Sequence, residues 1–139
     1  MLNTYNITSQ TVAVNGSVIF SNNLYQTGCS TVHNVGTDII EVRCPGTYLL
    51  TFNGSGAATA AATDPITLQL FRDNSPVPGA SASVLSTSTT DEVNLAFSTI
   101  LQVRPSCPSI SNVSSLTVKN IGVEAEFDNA NLTIFKISC

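Results

Sequence analysis

The 139-residue chain has no tryptophan, a single histidine and only five basic residues. Each shortage excludes a class of function. Nucleic-acid phosphates are neutralised by clustered Lys and Arg, and here two lysines and three arginines are scattered through a chain of net charge −4. Nucleic acid is therefore not an expected partner. There is no C-x-x-C pair, and one histidine cannot complete a Cys/His zinc set. A serine triad needs a histidine held by an acid beside a serine. Nothing around His33 has that arrangement, and no G-x-S-x-G elbow occurs, so the chain is not expected to be an enzyme. No stretch approaches the ~20 apolar residues of a membrane span. The first ten residues, MLNTYNITSQ, lack the basic and apolar regions of a signal peptide. With no tryptophan and three tyrosines, two of them (Tyr5 and Tyr25) outside the expected core, there is little to stack on a sugar face.

Only 10% of residues are charged, against about 25% in an ordinary soluble protein. Ser and Thr make up roughly a quarter of the chain and Asn is abundant. Thr suits half-buried strands, and Ser and Asn suit turns. The surface is thus neutral and hydroxyl-rich, as fits a chain exposed to proteases or to a lattice, although an all-β fold alone gives the same composition. The N-x-S/T triplets at Asn6, Asn15, Asn53, Asn112 and Asn131 are what such a composition produces by chance. The length suits one domain, residues 1–139, with a core that needs no staples.

Hydrophobic residues alternate with a period of two, the mark of β-strands. After Cys44-Pro45-Gly46, the residues Tyr48, Leu50 and Phe52 fall on one face of a strand, and Leu49 and Thr51 on the other. Both faces are largely apolar. A sheet in a small sandwich normally shows one face to water, so this strand predicts a second cover, supplied by another subunit. Further strands are separated by Asn15-Gly16, Asn74-Ser75-Pro76, Pro78-Gly79, Ser86 to Asp91, Pro105 to Asn112, and Asp128-Asn129. Short strands with such punctuation predict a sandwich or jelly roll. The alanine-rich run from Gly56 to Thr63 reads as the end of the Tyr48 strand followed by a loop.

Val18-Ile19-Phe20, then a polar loop, then Pro45-Gly46-Thr47-Tyr48-Leu49-Leu50-Thr51-Phe52 resembles the C1q/TNF-like jelly roll. The similarity continues through Ile66 to Asn74, Asn94 to Val103 and Asn131 to Ile137, nearly the whole chain. It is a pattern of strands, not a catalytic signature, and the loop around Cys107 is longer than the pattern has. The resemblance implies an all-β antiparallel jelly-roll sandwich that assembles as a homotrimer. It places the Tyr48 strand and the closing strand in the sheet facing the threefold axis, without fixing which face looks inward. The expected trimer contacts are Tyr48, Leu50 and Phe52, with Phe97 and Phe135 on neighbouring strands. Members of this kind include modules of bacterial and bacteriophage collagen-like fibres. No Gly-x-y stalk is present, which favours a stand-alone decorating protein over a fibre tip.

Four cysteines, Cys29, Cys44, Cys107 and Cys139, allow three intramolecular pairings. Cys29 and Cys44 flank a predicted hairpin turn at Asn34-Val35-Gly36-Thr37, whereas Cys107 in a loop and Cys139 at the end are candidates for cross-links between subunits. All four remaining reduced is the alternative, because disulfides do not persist in ordinary cytosol. Glu124, Glu126 and Asp128 alternate along one strand. They are weak candidates for calcium, with Asp91 and Glu92 as possible additions, and a solvated strand face is the plainer explanation. His33, tripled by a threefold axis, is a weak candidate metal ligand. No other cofactor is expected. The expected function is structural: a homotrimer on a virion or other extracellular surface, such as a capsid decoration or head-fibre protein, with the major capsid or other virion proteins as partners. The alternative is a fibre-tip module that binds a host receptor or glycan through the loops Ser86 to Asp91 and Pro105 to Asn112.

Overall fold

Tyr48, Leu50 and Phe52 alternate with Leu49 and Thr51 along a strand of 13 residues, and the architecture decides which row turns inward. The computed structural model describes residues 1–105 and 113–138. Among them run eleven strands: β1 (Leu2–Asn6), β2 (Gln10–Val12), β3 (Asn22–Gln26), β4 (Thr31–His33), β5 (Ile40–Val42), β6 (Gly46–Ala58), β7 (Ile66–Arg72), β8 (Ser75–Val84), β9 (Val93–Val103), β10 (Ser114–Asn120) and β11 (Ala125–Ser138). They form two antiparallel sheets. One has the order β3-β1-β11-β6-β9, with β2 also paired to β11; the other has the order β4-β5-β10-β7-β8. The two longest strands, β6 and β11, lie side by side in the first sheet although some 70 residues separate them in sequence. This is the antiparallel jelly-roll sandwich that the strand pattern predicts.

The core lies between the sheets. Leu2, Tyr48, Leu50, Phe52, Leu95, Phe97, Phe127, Leu132 and Ile134 enter it from the first sheet. Ile40, Val42, Ile66, Leu68, Leu70, Leu116 and Val118 enter from the second. Burying a large apolar side chain is worth about 1.5–3 kcal/mol. Phe52 and Phe97 face each other across β6 and β9, their rings stacked with centroids 5.2 Å apart. Where the chain passes from β10 to β11, buried Asn120 acts as a polar clamp. Its Nδ2 donates to the carbonyls of Val12 and Val123, and its Oδ1 accepts from the Gly122 amide.

The structure departs from the strand pattern in two places. Val18-Ile19-Phe20 is not a regular strand: its backbone pairing consists of isolated bridges, Ser17 with Lys119 and Phe20 with Thr37. The Gln10 side chain takes the place of a neighbouring backbone, accepting from the Ile19 amide at 3.0 Å and donating to its carbonyl at 2.9 Å. Val18 and Phe20 are nevertheless buried. Pro76, Pro78 and Gly79 do not separate strands but lie within β8. Proline offers no amide to a ladder and is tolerated at a sheet edge. β8 is such an edge, with a bulge opposite Gln69/Phe71, and the Gln69 side-chain Nε2 donates to the Val77 carbonyl there. The β7–β8 turn at Asp73 and Asn74 has φ of 50° and 65°, the left-handed pair a tight hairpin requires.

Candidate functional site

Because Tyr48, Leu50 and Phe52 point into the sandwich, Leu49, Thr51 and Asn53 point out. Register extends this outward row across the first sheet. Phe135 of β11 faces Leu49 of β6, which faces Ile100 of β9. All three are open to solvent, at 49%, 38% and 64%, and Ile137 continues the apolar strip along β11. Two residues along, Tyr25, Asn3, Thr133, Thr51 and Ser98 form a second row across five strands. A third consists of Tyr5, Asn131, Asn53 and Ala96. Tyr5, Ile7, Leu24, Asn53, Asn129 and Asn131 enclose an open groove of about 530 Å³ on this side.

None of these rows carries a charged side chain. Loss of charge and enrichment in aromatic and aliphatic groups characterise the buried centre of a protein–protein interface, and a contiguous exposed apolar patch marks an interaction site. Leu49 and Ile100 were not among the expected contact residues. The signal for Leu49 in the sequence was the second apolar row on the Tyr48 strand.

Charge returns at one end of the sheet. The Ser9 hydroxyl lies 2.5 Å from Glu126 Oε1 and 3.0 Å from Asp128 Oδ1 and donates to them. Glu92 reaches the same place beside a hollow of about 230 Å³ lined in part by Ala57, Thr59 and Thr90. A hydrogen bond to Asp128, and repulsion from its charge, hold the Glu92 carboxyl above the usual glutamate range. The folded chain therefore binds this proton more tightly than the unfolded chain does. The resulting stabilisation is complete below the ordinary glutamate pKa and is lost as pH rises through the raised value. Glu92→Gln keeps a neutral donor at every pH. Melting curves taken between about pH 4 and 7 should show the wild type losing ground to the variant as pH rises; parallel curves would contradict the pairing.

Glu124 does not join this group, for its carboxylate accepts from Thr59 Oγ1 at 2.8 Å. Asp91 is used within its own loop, where it accepts from the Thr87 amide and hydroxyl. His33 lies apart, on β4 of the other sheet and 3% exposed. Its Nε2 is 3.0 Å from the Thr37 carbonyl, and its Nδ1 is 2.6 Å from Asn23 Oδ1 and 3.2 Å from Thr4 Oγ1. Protein oxygens occupy both ring nitrogens, so His33 ties β1, β3 and the β4–β5 turn together. Among the described residues, no group of three or more His, Cys, Asp or Glu side chains is placed to hold a metal ion.

The expected trimer contacts divide between the two faces. Tyr48, Leu50 and Phe52 are at most 2% exposed and Phe97 8%. The second sheet of the same chain covers them, which corrects their assignment to a subunit contact. Phe135 alone of the five is on the outward face. Cys29 and Cys44 are free thiols; Cys107 and Cys139 lie outside the described residues. Of the two loops expected to bind a receptor, Pro105 to Asn112 lies almost wholly outside them. Ser86 to Asp91 is folded onto itself, the buried Ser86 hydroxyl donating to the Asp91 carbonyl and accepting from the Ala58 amide.

The two sheets and their strand order have the TNF/C1q-like jelly-roll fold. Among solved structures, the chain is similar to Eiger TNF from S. frugiperda, with 12% identity and a TM-score of 0.68 over 98% of this chain and 92% of that one. It is also similar to the PRD1 vertex protein P5, with 14% identity and a TM-score of 0.58 over 98% and 95%. Murine APRIL aligns with 9% identity and a TM-score of 0.51 over 95% and 96%. At these identities the likeness is one of fold. No protein-family model and no curated protein sequence matches the chain.

Proposed function

We propose that this chain is a non-enzymatic structural protein that assembles as a homotrimer and is displayed on the surface of a virion, where it decorates or braces the capsid. The observation that carries the reading is the uncharged stretch of the first sheet's outward face, with Phe135, Leu49 and Ile100 in register across it. Three copies packed around a common axis cover that strip and fill the groove beside Tyr5, and closed symmetry repeats each contact three times. The likeness to a vertex protein supports a place on a particle. The low charge and hydroxyl-rich composition support an exposed position. The mechanism is one of shape and hydrogen bonding: a trimer seats on a threefold point of the lattice and bridges its neighbours.

Immunogold labelling of intact particles from the source cells tests the reading. Antibody against the purified protein should decorate the outside of the particles. Protein confined to the cell extract, with particles unlabelled, would contradict a virion role.

A further inference from the structure

β3 ends one sheet and β4 ends the other. Between these two edges the side chains of β3 stand where a neighbouring backbone would. Asn23 Nδ2 donates to the His33 carbonyl at 2.9 Å, and Gln26 Oε1 accepts from the His33 amide at 3.1 Å. The His33 ring lies inside this seam, buried, with the Phe20 ring edge-on to it at 6.1 Å.

Every atom bonded to the ring has a fixed role. Asn23 Nδ2 is the donor to the His33 carbonyl and to Gln26 Oε1, so Asn23 Oδ1, 2.6 Å from Nδ1, is an acceptor. The Thr4 hydroxyl directs its proton to the Asn22 carbonyl at 2.8 Å, so it offers Nδ1 a lone pair as well. At Nε2 the partner is the Thr37 carbonyl, which only accepts. A neutral imidazole has one N–H and one lone pair. Either tautomer therefore sets a lone pair against an oxygen, at 3.0 Å on Thr37 or at 2.6 Å on Asn23. Turning the Thr4 proton toward Nδ1 leaves Asn23 Oδ1 still opposed and takes a donor from Asn22. Only the ring with two N–H groups satisfies both sides.

Burial acts against that charge, and no acid offsets it. β1, β3 and Val18-Ile19-Phe20 carry no charged side chain, and Tyr5 and Tyr25 are in the outward rows of the first sheet. The Met1 amino group is bonded to the Thr27 carbonyl. Asp38, in the β4–β5 turn, makes no bond to the ring, and Glu41 of β5 is paired with Arg43. The contact at Nδ1 is nevertheless as short as a charge-assisted hydrogen bond, and a lone pair buried against an oxygen has no water to relieve it.

We infer that the seam between β3 and β4 is a proton-dependent joint, closed when His33 carries a proton on each ring nitrogen and loosened when one of them leaves. The folded chain takes up this proton more readily than the unfolded chain, so the joint is tightest in acid and relaxes as pH rises. β3 also carries Leu24 and Tyr25, both exposed, and Leu24 lines the groove beside Tyr5. Relaxation of the joint thus reaches one margin of the outward face. The joint lies within one chain and stands or falls separately from the trimer contact.

His33 is the only histidine, so nitrogen-15 NMR of the full chain, labelled in its imidazole, reads this ring alone. Both ring nitrogens of the folded chain should keep their protons at pH values where the urea-unfolded chain has lost one. Hydrogen exchange of the amide at position 33, taken relative to the amides of β6, should speed up as the second proton leaves. In His33→Gln that ratio should not change with pH. A folded chain that loses the second proton at the same pH as the unfolded chain, or earlier, would overturn the inference. So would an exchange ratio that ignores the loss of the proton, or one that keeps its pH dependence in His33→Gln. The imidazole measurement needs no variant and decides the matter even where the substitution unfolds the chain.

Discussion

Replacing Leu49 and Ile100 together by aspartate should leave the chain folded and make it monomeric. Both side chains face away from the core, at 38% and 64% exposure, so the isolated chain tolerates the change. The assembled form does not. Each aspartate brings a carboxylate into a surface that carries no compensating charge, and an uncompensated charge at a buried contact costs about 3–5 kcal/mol. Threefold symmetry repeats the penalty, and each 1.4 kcal/mol is about a factor of 10 in association. Sedimentation velocity should therefore show monomer at concentrations where the wild type is assembled, with an unchanged far-ultraviolet circular dichroism spectrum. A double variant that stays assembled would place the contact elsewhere. Tyr48→Asp is the informative contrast. Tyr48 has no exposed surface and its hydroxyl is bonded to Cys44, so that change should unfold the chain rather than dissociate a folded trimer.

Phe52→Ala should strongly destabilise the sandwich. Phe52 is 2% exposed, in the centre of β6, and stacked on Phe97 at 5.2 Å. Removing a buried phenylalanine ring costs about 3–5 kcal/mol in lost transfer energy and residual cavity, and the loss of its aromatic partner adds about 0.5–1.5 kcal/mol. Against a typical stability of ~5–15 kcal/mol, that is a large share. Collapse is limited because Gly54, two residues along on the same face, already lies against the Phe52 ring. Urea denaturation of the Leu49→Asp/Ile100→Asp form, with and without Phe52→Ala, measures the effect free of assembly. The midpoint should fall sharply in the triple variant; a loss below about 1 kcal/mol would mean that this ring is not central to the core.

Period-two alternation made the sandwich legible from the sequence, but it could not say which side of a strand is inside. Tyr48-Leu49-Leu50-Thr51-Phe52 offers an apolar group on both sides. Only pairing of β6 with both β9 and β11, together with the second sheet above Tyr48, Leu50 and Phe52, decides that Leu49 looks out. Phe135 is an aromatic on the closing strand. It reaches the outward face because it is paired with Leu49 rather than with Leu50. Val18-Ile19-Phe20 has the composition of a strand, yet its ladder partner is partly the Gln10 side chain, a substitution no period reveals. Glu126 and Asp128 follow the alternation, and the residues that meet them, Ser9 and Glu92, come from distant parts of the chain.

Native mass spectrometry of the unmodified protein tests the central claim most directly. The expected species is a non-covalent trimer at three times 14.6 kDa, reduced to monomer by Leu49→Asp/Ile100→Asp. A wild-type chain that remains monomeric throughout the micromolar range would contradict the account, leaving the apolar strip of Phe135, Leu49 and Ile100 without the partner proposed for it.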